Sequence, residues 1–548
     1  MIGICVIDDH KPIVEEFFQL FKTPWSFYTP NQPYDVVITD CQDISYLHAS
    51  LIIVIDSRMI TSFSFSESKG KEKPPDLLQQ TNGPIFPVYT GVSAVVGGER
   101  LLTIHGTGQC VACRIEEETR SIIRIGFHLF AEVNYLLQNG QPLEHGHVPT
   151  MDIHISNLRK WITDAGQYLL EIPPCPKGSP FFVCLTHDVD FAGIRNHIFD
   201  LTMAGFVYRA IVGSTAGFLK GRYSLSHFMC NLLSVISLPF VWLGLKKDFW
   251  YQFQQYIKIE NGRPSTFFFV PFKNRPGETE AGPAVSKRGV MYDVNSLGDE
   301  IEYLLQNGIE VGVHGIDSWI KESAAANELR RMKDITGRDG LGIRMHWLYN
   351  NDDTPAVLDR AGYKYDSTWG YNEIPGCRAG TFQVYKPLRT ETLLSLPMHM
   401  MDTALFYPGH MNLTFRQGIK TIQDFADLAS FHGGVLTLNW HHRSIAPERL
   451  WGSVYKQALE NLTSRNARFS TASAIVDWFH HRRKFTFNAV IKNDEKINVN
   501  IATGDEAINY KDDFVLRLYI PARKNIDGEY TCFHDYPLQE NLEVPIFH

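Results

Sequence analysis

Phe181-Phe182-Val183-Cys184-Leu185-Thr186-His187-Asp188-Val189-Asp190 decides how this chain is read. Five apolar residues run unbroken toward two carboxylates set one residue apart. Such a run predicts a parallel strand buried on both faces, and the C-terminal ends of such strands are where α/β and barrel folds gather their chemistry. Side chains alternate along a strand, so Asp188 and Asp190 are expected on the same side. One carboxylate can hold a metal while the other takes a proton from water, a division of labour suited to metal-assisted hydrolysis. An Asp that merely caps a following helix is the plainer alternative for either acid.

The whole chain bounds what this motif can serve. At 548 residues it exceeds a single core, which predicts three or four domains. A composition of 44% hydrophobic and 20% charged residues is that of a globular protein, without a disordered tract. The net charge of -8, with no basic stripe carrying interleaved aromatics, excludes nucleic acid as a partner. Among nine cysteines, only Cys110 and Cys113 are spaced like metal ligands. Without a second such pair they read as two buried thiols on a strand. The opening MIGICVIDDH is acidic and lacks a signal-peptide pattern, so the catalytic region is expected in the reducing cytoplasm.

Along the chain, residues 1–62 alternate strand-like and helix-like runs (2–6, 13–21, 36–38 and 51–55), a small α/β domain. Asp8, Asp9 and Asp40 resemble the acids of a phosphorelay receiver, but the unit is short for one and lacks fitting Thr and Lys. Residues 62–83 read as a linker or long loop. A mixed β/α domain follows at 84–178, with helices expected at 125–137 and 155–170. Residues 179–483 alternate strands and helices as a barrel or layered α/β domain does, with strands at 267–270, 311–313, 363–365 and 435–438. Residues 484–548 turn to alternating β runs, joined in part by an Asn493-Asp494 turn, and form a small accessory β domain. Within the third domain, residues 198–245 hold two apolar stretches broken by Lys220, Gly221 and Arg222. They predict a helical hairpin. It either folds against the domain or dips into a membrane interface, giving peripheral membrane contact.

Four later stretches repeat the opening pattern. Ser265-Thr266-Phe267-Phe268-Phe269 reads as a second core strand. His314 ends a third strand, Arg344 and His346 a fourth, and Asn439-Trp440-His441-His442 follows a fifth. One such histidine is ordinarily a satisfied core residue. Recurrence at successive strand ends argues for a shared site, because those ends face one mouth.

Here the chain resembles the polysaccharide deacetylases of carbohydrate esterase family four, and chitooligosaccharide deacetylases among them. Thr186-His187-Asp188-Val189-Asp190 is similar to the first family motif in its variant with a residue between the acids. The resemblance implies a distorted β/α barrel over 181–483, flanked by N-terminal α/β segments and the small C-terminal β domain. It implies a hydrolase of acetylated sugars with Asp188 as general base and Asp190 as metal ligand. His314 matches the leading histidine of the second motif, Arg344 the arginine of the third and Asp366 the acid of the fourth. His441 matches the late histidine that protonates the leaving nitrogen; strand alternation alone does not choose it over His442. The stretches from Gly370 to Thr381 and from Leu396 to Asp402 resemble a bacterial subgroup tied to surface-polysaccharide or exopolysaccharide biosynthesis, so the expected partner is a glycan or lipid-linked polysaccharide.

One position departs from the family. Its second motif carries another histidine four residues after the first, and here that residue is Ser318, whose neutral hydroxyl is a poor zinc ligand. His346 can complete a divalent metal site with Asp190 and His314, zinc above all; Asp317 is the alternative, giving a harder, oxygen-rich site. Two other functions stay open: a hydrolase of small amides on the same scaffold, and a non-catalytic glycan-binding protein of a polysaccharide assembly. Trp319, Trp347, Trp369 and Trp440 near the motifs favour stacking on sugars.

Overall fold

The computed structural model describes residues 1–56, 74–80, 83–493, 495–502, 513–521 and 533–546. Most of the expected 62–83 linker, and Asp494 of the expected turn, lie outside them. The chain divides into two compact units, one of Met1–Gly178, Cys377–Leu388 and Asp477–His548, the other of Ser179–Gly376 and Arg389–Val476.

In the first unit, strands Val36–Thr39 and Leu51–Ile55 are buried along their whole length, as parallel strands covered on both faces must be. They belong to a parallel half-sheet ordered Trp25–Phe27, Ile2–Cys5, Val36–Thr39, Leu51–Ile55, Ser121–Ile125. The same sheet continues antiparallel through Cys110–Glu116, Glu99–Ile104, Asp76–Gln80 and Ile85–Val88. Residues 1–62 and 84–178 thus share one sheet where the sequence implied two domains. The reason is edge pairing: Leu51–Ile55 would present an open edge, and Ser121–Ile125 covers it. The tail belongs to this unit too. Val515–Tyr519 pairs with Leu169–Glu171 on one side and Phe533–Pro537 on the other, while Thr486–Lys492, Lys496–Ala502 and Asn541–Pro545 form a second small sheet. The helix expected at 155–170 runs instead over Thr150–Asp164. Gly166, at φ 81°, turns the chain there, and residues 169–171 pair as a strand.

The second unit is built on nine strands: β1 (Phe182–Val189), β2 (Thr266–Phe269), β3 (Glu310–Gly315), β4 (Ile343–Met345), β5 (Tyr365–Asp366), β6 (Leu394–Ser395), β7 (Met400–Met401), β8 (Val435–Asn439) and β9 (Arg468–Ser470). They run in the order β6-β5-β4-β3-β2-β1-β8-β7, with β9 also on β1, and every pairing is parallel. This is the expected distorted β/α barrel, open between β6 and β7. All eight residues of β1 are buried, so the apolar run that opened the reading is an interior strand of this sheet. Parallel pairing places the C-terminal ends of β1, β3, β4 and β8 at one mouth.

Between β1 and β2 the insertion holds α1 (Leu201–Tyr208), α2 (Ser214–Leu219) and α3 (Leu225–Trp242), with a π-helical turn over Arg209–Gly213, and a further helix, Phe253–Glu260, precedes β2. Asp200 caps α1 by accepting from Met203 N, and Ser224 caps α3 by accepting from His227 N. The two stretches are split by the turn at Gly221, whose φ of 68° suits glycine.

Candidate metal centre

Three strand ends bring together Asp190, His314 and His346. Asp190 Oδ1 lies 3.3 Å from His314 Nε2 and 3.3 Å from His346 Nδ1, and those two nitrogens are 3.0 Å apart. His314 Nδ1 is 2.8 Å from the Arg344 carbonyl, an acceptor, so Nδ1 carries the proton and Nε2 turns its lone pair to the cluster. Asp190 Oδ1 is buried without a hydrogen-bond partner, which an acceptor rarely tolerates unless a cation satisfies it. Two imidazole nitrogens and one carboxylate oxygen form a donor set that fits a divalent metal. The second and third donors are braced from behind. Buried Arg288 donates from Nη2 to the carbonyls of both Ile316 and His346, at 2.9 and 3.0 Å. Just past His346 the chain turns through Trp347 and Leu348 at φ 63° and 55°, left-handed backbone of the kind that gathers at functional sites.

Beside this cluster sits Asp188. Its Oδ1 takes a 3.0 Å bond from Arg344 Nη1, and its Oδ2 a 2.7 Å bond from Asn439 Nδ2. Burial pushes against ionisation, but the Arg344 guanidinium, with His314 and His441 behind it, holds the Asp188 carboxyl below its usual range. Arg344 is itself fixed by Thr186 Oγ1, the Ser367 carbonyl and hydroxyl, and the face of Phe268, 4.7 Å away. Burial likewise opposes charge on Asp190, and His346 first among its neighbours drives that carboxyl well down.

His441 completes the mouth. Its Nε2 is 3.9 Å from Asp190 Oδ2, and its Nδ1 is 2.6 Å from Asp402 Oδ1. Burial disfavours the imidazolium, yet the carboxylates of Asp402, Asp190 and Asp188 raise its pKa to about 9. His442 points elsewhere. It sits between the Phe191 carbonyl and Gln252 N, and burial drops its pKa to about 3, so geometry separates the two histidines that alternation could not. His187, on the other face of β1, bridges Trp440 O and Glu260 inside the core.

Not every expected residue joins the cluster. Ser318 turns its hydroxyl to Glu328, which also accepts from Ile316 N and Asp317 N. Asp317 accepts from Glu278 N, in keeping with His346 rather than Asp317 as third donor. Asp366, expected among the catalytic residues, spends its hydrogen bonds on Thr368, whose hydroxyl in turn receives Met345 N. It steadies the backbone between Arg344 and His346, and burial raises its pKa to about 6. Trp319 and Trp440 are core residues, whereas Trp347 and Trp369 are half-buried. The residues that sequence reasoning left without a role are Asp402 and Asn439. Their only signal was position, a polar residue at the end of a short apolar run.

A second histidine-carboxylate cluster lies in the first unit: Asp40 Oδ2 is 3.7 Å from His10 Nδ1 and 3.6 Å from His128 Nε2. His128 Nδ1, however, accepts from Ala131 N at the start of a helix. In the neutral ring the proton then sits on Nε2, which leaves that nitrogen no lone pair for a metal.

No family model and no curated protein matches the chain. Solved structures similar to it include carbohydrate deacetylases. One is Agd3, described as a novel carbohydrate deacetylase, 8% identical over 100% of this chain and 98% of that one, with a TM-score of 0.38. Another is the polysaccharide deacetylase Bc1974 from Bacillus cereus, 13% identical over 41% of this chain and 86% of that one, with a TM-score of 0.23. The Puue allantoinase is also similar, 14% identical over 56% of this chain and 93% of that one, with a TM-score of 0.34. These likenesses are too slight to carry a residue or an activity across.

Proposed function

We propose that this chain is a metal-dependent hydrolase that removes N-acetyl groups from a glycan, free or lipid-linked, in bacterial surface or exopolysaccharide metabolism, acting in the cytoplasm. The observation that carries the reading is one mouth holding a metal-fitting triad, Asp188 paired with Arg344 beside it, and His441 paired with Asp402. Asp190, His314 and His346 would hold a divalent cation, whose charge would polarise an amide carbonyl and ease deprotonation of water. Asp188, kept ionised by Arg344, accepts the water's proton at Oδ2, the oxygen 3.9 Å from His314 Nε2. His441, protonated and oriented by Asp402, gives its Nε2 proton to the departing amine. The products are acetate and a free amino sugar.

The experiment is acetate release from acetylated chito-oligosaccharides, with metal content measured on the same samples. Asp188→Asn keeps the three donors and is expected to retain metal while losing activity about 10²–10⁴-fold. Full activity in that variant would refute the mechanism. Metal binding without acetate release from any acetylated glycan would refute the substrate class.

A further inference from the structure

The α3 helix turns apolar side chains outward as well as inward. An amphipathic helix on a water-soluble domain turns its apolar stripe inward and its polar stripe to solvent. In α3 the outward stripe is Leu225, Met229, Leu233, Ile236, Phe240 and then Leu243, spaced by three and four residues and each 43–72% exposed. The inward stripe carries His227, Asn231, Ser234 and Ser237, with Leu238 and Val241 packed into the core at its C-terminal end. Asn231 donates to Ser214 Oγ at 2.6 Å and accepts from Glu448 N at 2.6 Å, so the polar face is committed to the protein. Around the outward stripe, Phe199 is 83% exposed, Leu201 92%, Leu219 78% and Leu245 74%. So many large apolar side chains exposed on one segment mark a contact with something other than water.

Charge names the partner. From Leu201 to Lys247 there is no Asp or Glu, while Lys220 and Arg222 precede α3 and Lys246 and Lys247 follow it. All four cations are exposed. A second copy packed symmetrically on this face would bring like charges together with no acid to pair them. An anionic bilayer meets both demands, apolar depth beneath the stripe and phosphate headgroups at its ends. Although α3 is long and apolar enough to cross a bilayer, its inward bonds to Ser214 and Glu448 keep it against the protein. We infer that the α1–α3 insertion is a membrane-docking face that lies flat on an anionic lipid surface, with the α3 stripe in the acyl boundary and the four cations at the headgroups.

The inference rests on this surface alone and stands apart from the deacetylase reading. The test is co-sedimentation of the full chain with vesicles of phosphatidylcholine, with and without phosphatidylglycerol. Binding is expected to the anionic vesicles and to weaken with salt. Replacing Lys220, Arg222, Lys246 and Lys247 with Gln should cut partitioning about fivefold per cation removed. Replacing Leu225, Leu233, Ile236 and Phe240 with Gln should abolish it while leaving the unfolding midpoint in place, since all four side chains face outward. A wild-type chain that stays in the supernatant with anionic vesicles would overturn the inference, as would an apolar variant that binds like the wild type. A dimer in sedimentation velocity that this variant dissolves, without vesicle binding, would also overturn it and give the face to a second copy.

Discussion

Arg344→Met tests the electrostatics of the mouth without touching a metal donor. The guanidinium is fully buried and makes four hydrogen bonds, including the 3.0 Å ion pair with Asp188. Methionine fills much of the same volume, so the cost falls chiefly on the charge. Asp188 would remain buried with Asn439 as its one strong donor, and breaking a buried pair from one side costs ~3–5 kcal/mol. The pH dependence follows from sign. In the wild type the Asp188 pKa is depressed, so its contribution is present above its unfolded value, roughly 3.9, and is lost as pH falls through the folded one. In the variant, burial dominates and raises the pKa, so stability is lost as pH climbs. The gap between the two proteins therefore widens from about pH 4 to pH 8. Urea unfolding followed by tryptophan fluorescence reads this well, because seven of the ten tryptophans lie in the second unit. Adding Asp188→Asn removes the stranded charge and should recover more than half of the loss. An equal loss at both pH values, or no recovery in the double variant, would refute the reasoning.

His346→Ala should strip the protein of metal, while Asp317→Ala, which loses only a bond from Glu278 N, should keep it; elemental analysis after dialysis decides, and the reverse result would move the third donor. His441, with its pKa raised to about 9, stays protonated through neutral pH, so kcat should fall on the alkaline side with a midpoint near 9. Asp402→Asn removes the leading charge that raises it, and should move that limb to lower pH in the pH–rate profile.

How far the sequence could be read follows from the range of each interaction. The β1 run was legible because a strand buried on both faces must be continuously apolar, with Asp188 and Asp190 at its end, and His314 was legible at the end of β3. The third donor was legible only as a choice between His346 and Asp317, because the turn at Trp347 and the Arg288 clamp appear in no spacing rule. The Asp402–His441 pair spans 39 positions and two strand ends, and nothing local marks it. The same holds for the sheet shared by residues 1–62 and 84–178, whose joint is a single long-range strand pairing. In the insertion, composition announced apolar helices, but only the structure tells which stripe of α3 looks outward.

Glu448 gives the insertion a consequence for the reaction. Its carboxylate accepts from Arg209, just past α1, and from Arg443, two residues after His441, while its own N–H holds Asn231 of α3. The insertion itself leaves the sheet a few residues past Asp190. Glu448 therefore ties α3, the turn after α1 and the loop that carries His441 together through its N–H and its carboxylate. With the stripe resting on a lipid surface, the helix becomes a depth gauge. The height of the mouth above the headgroups would then be set by the protein, and the proposed deacetylation would reach only acetyl groups carried at that height along a tethered glycan.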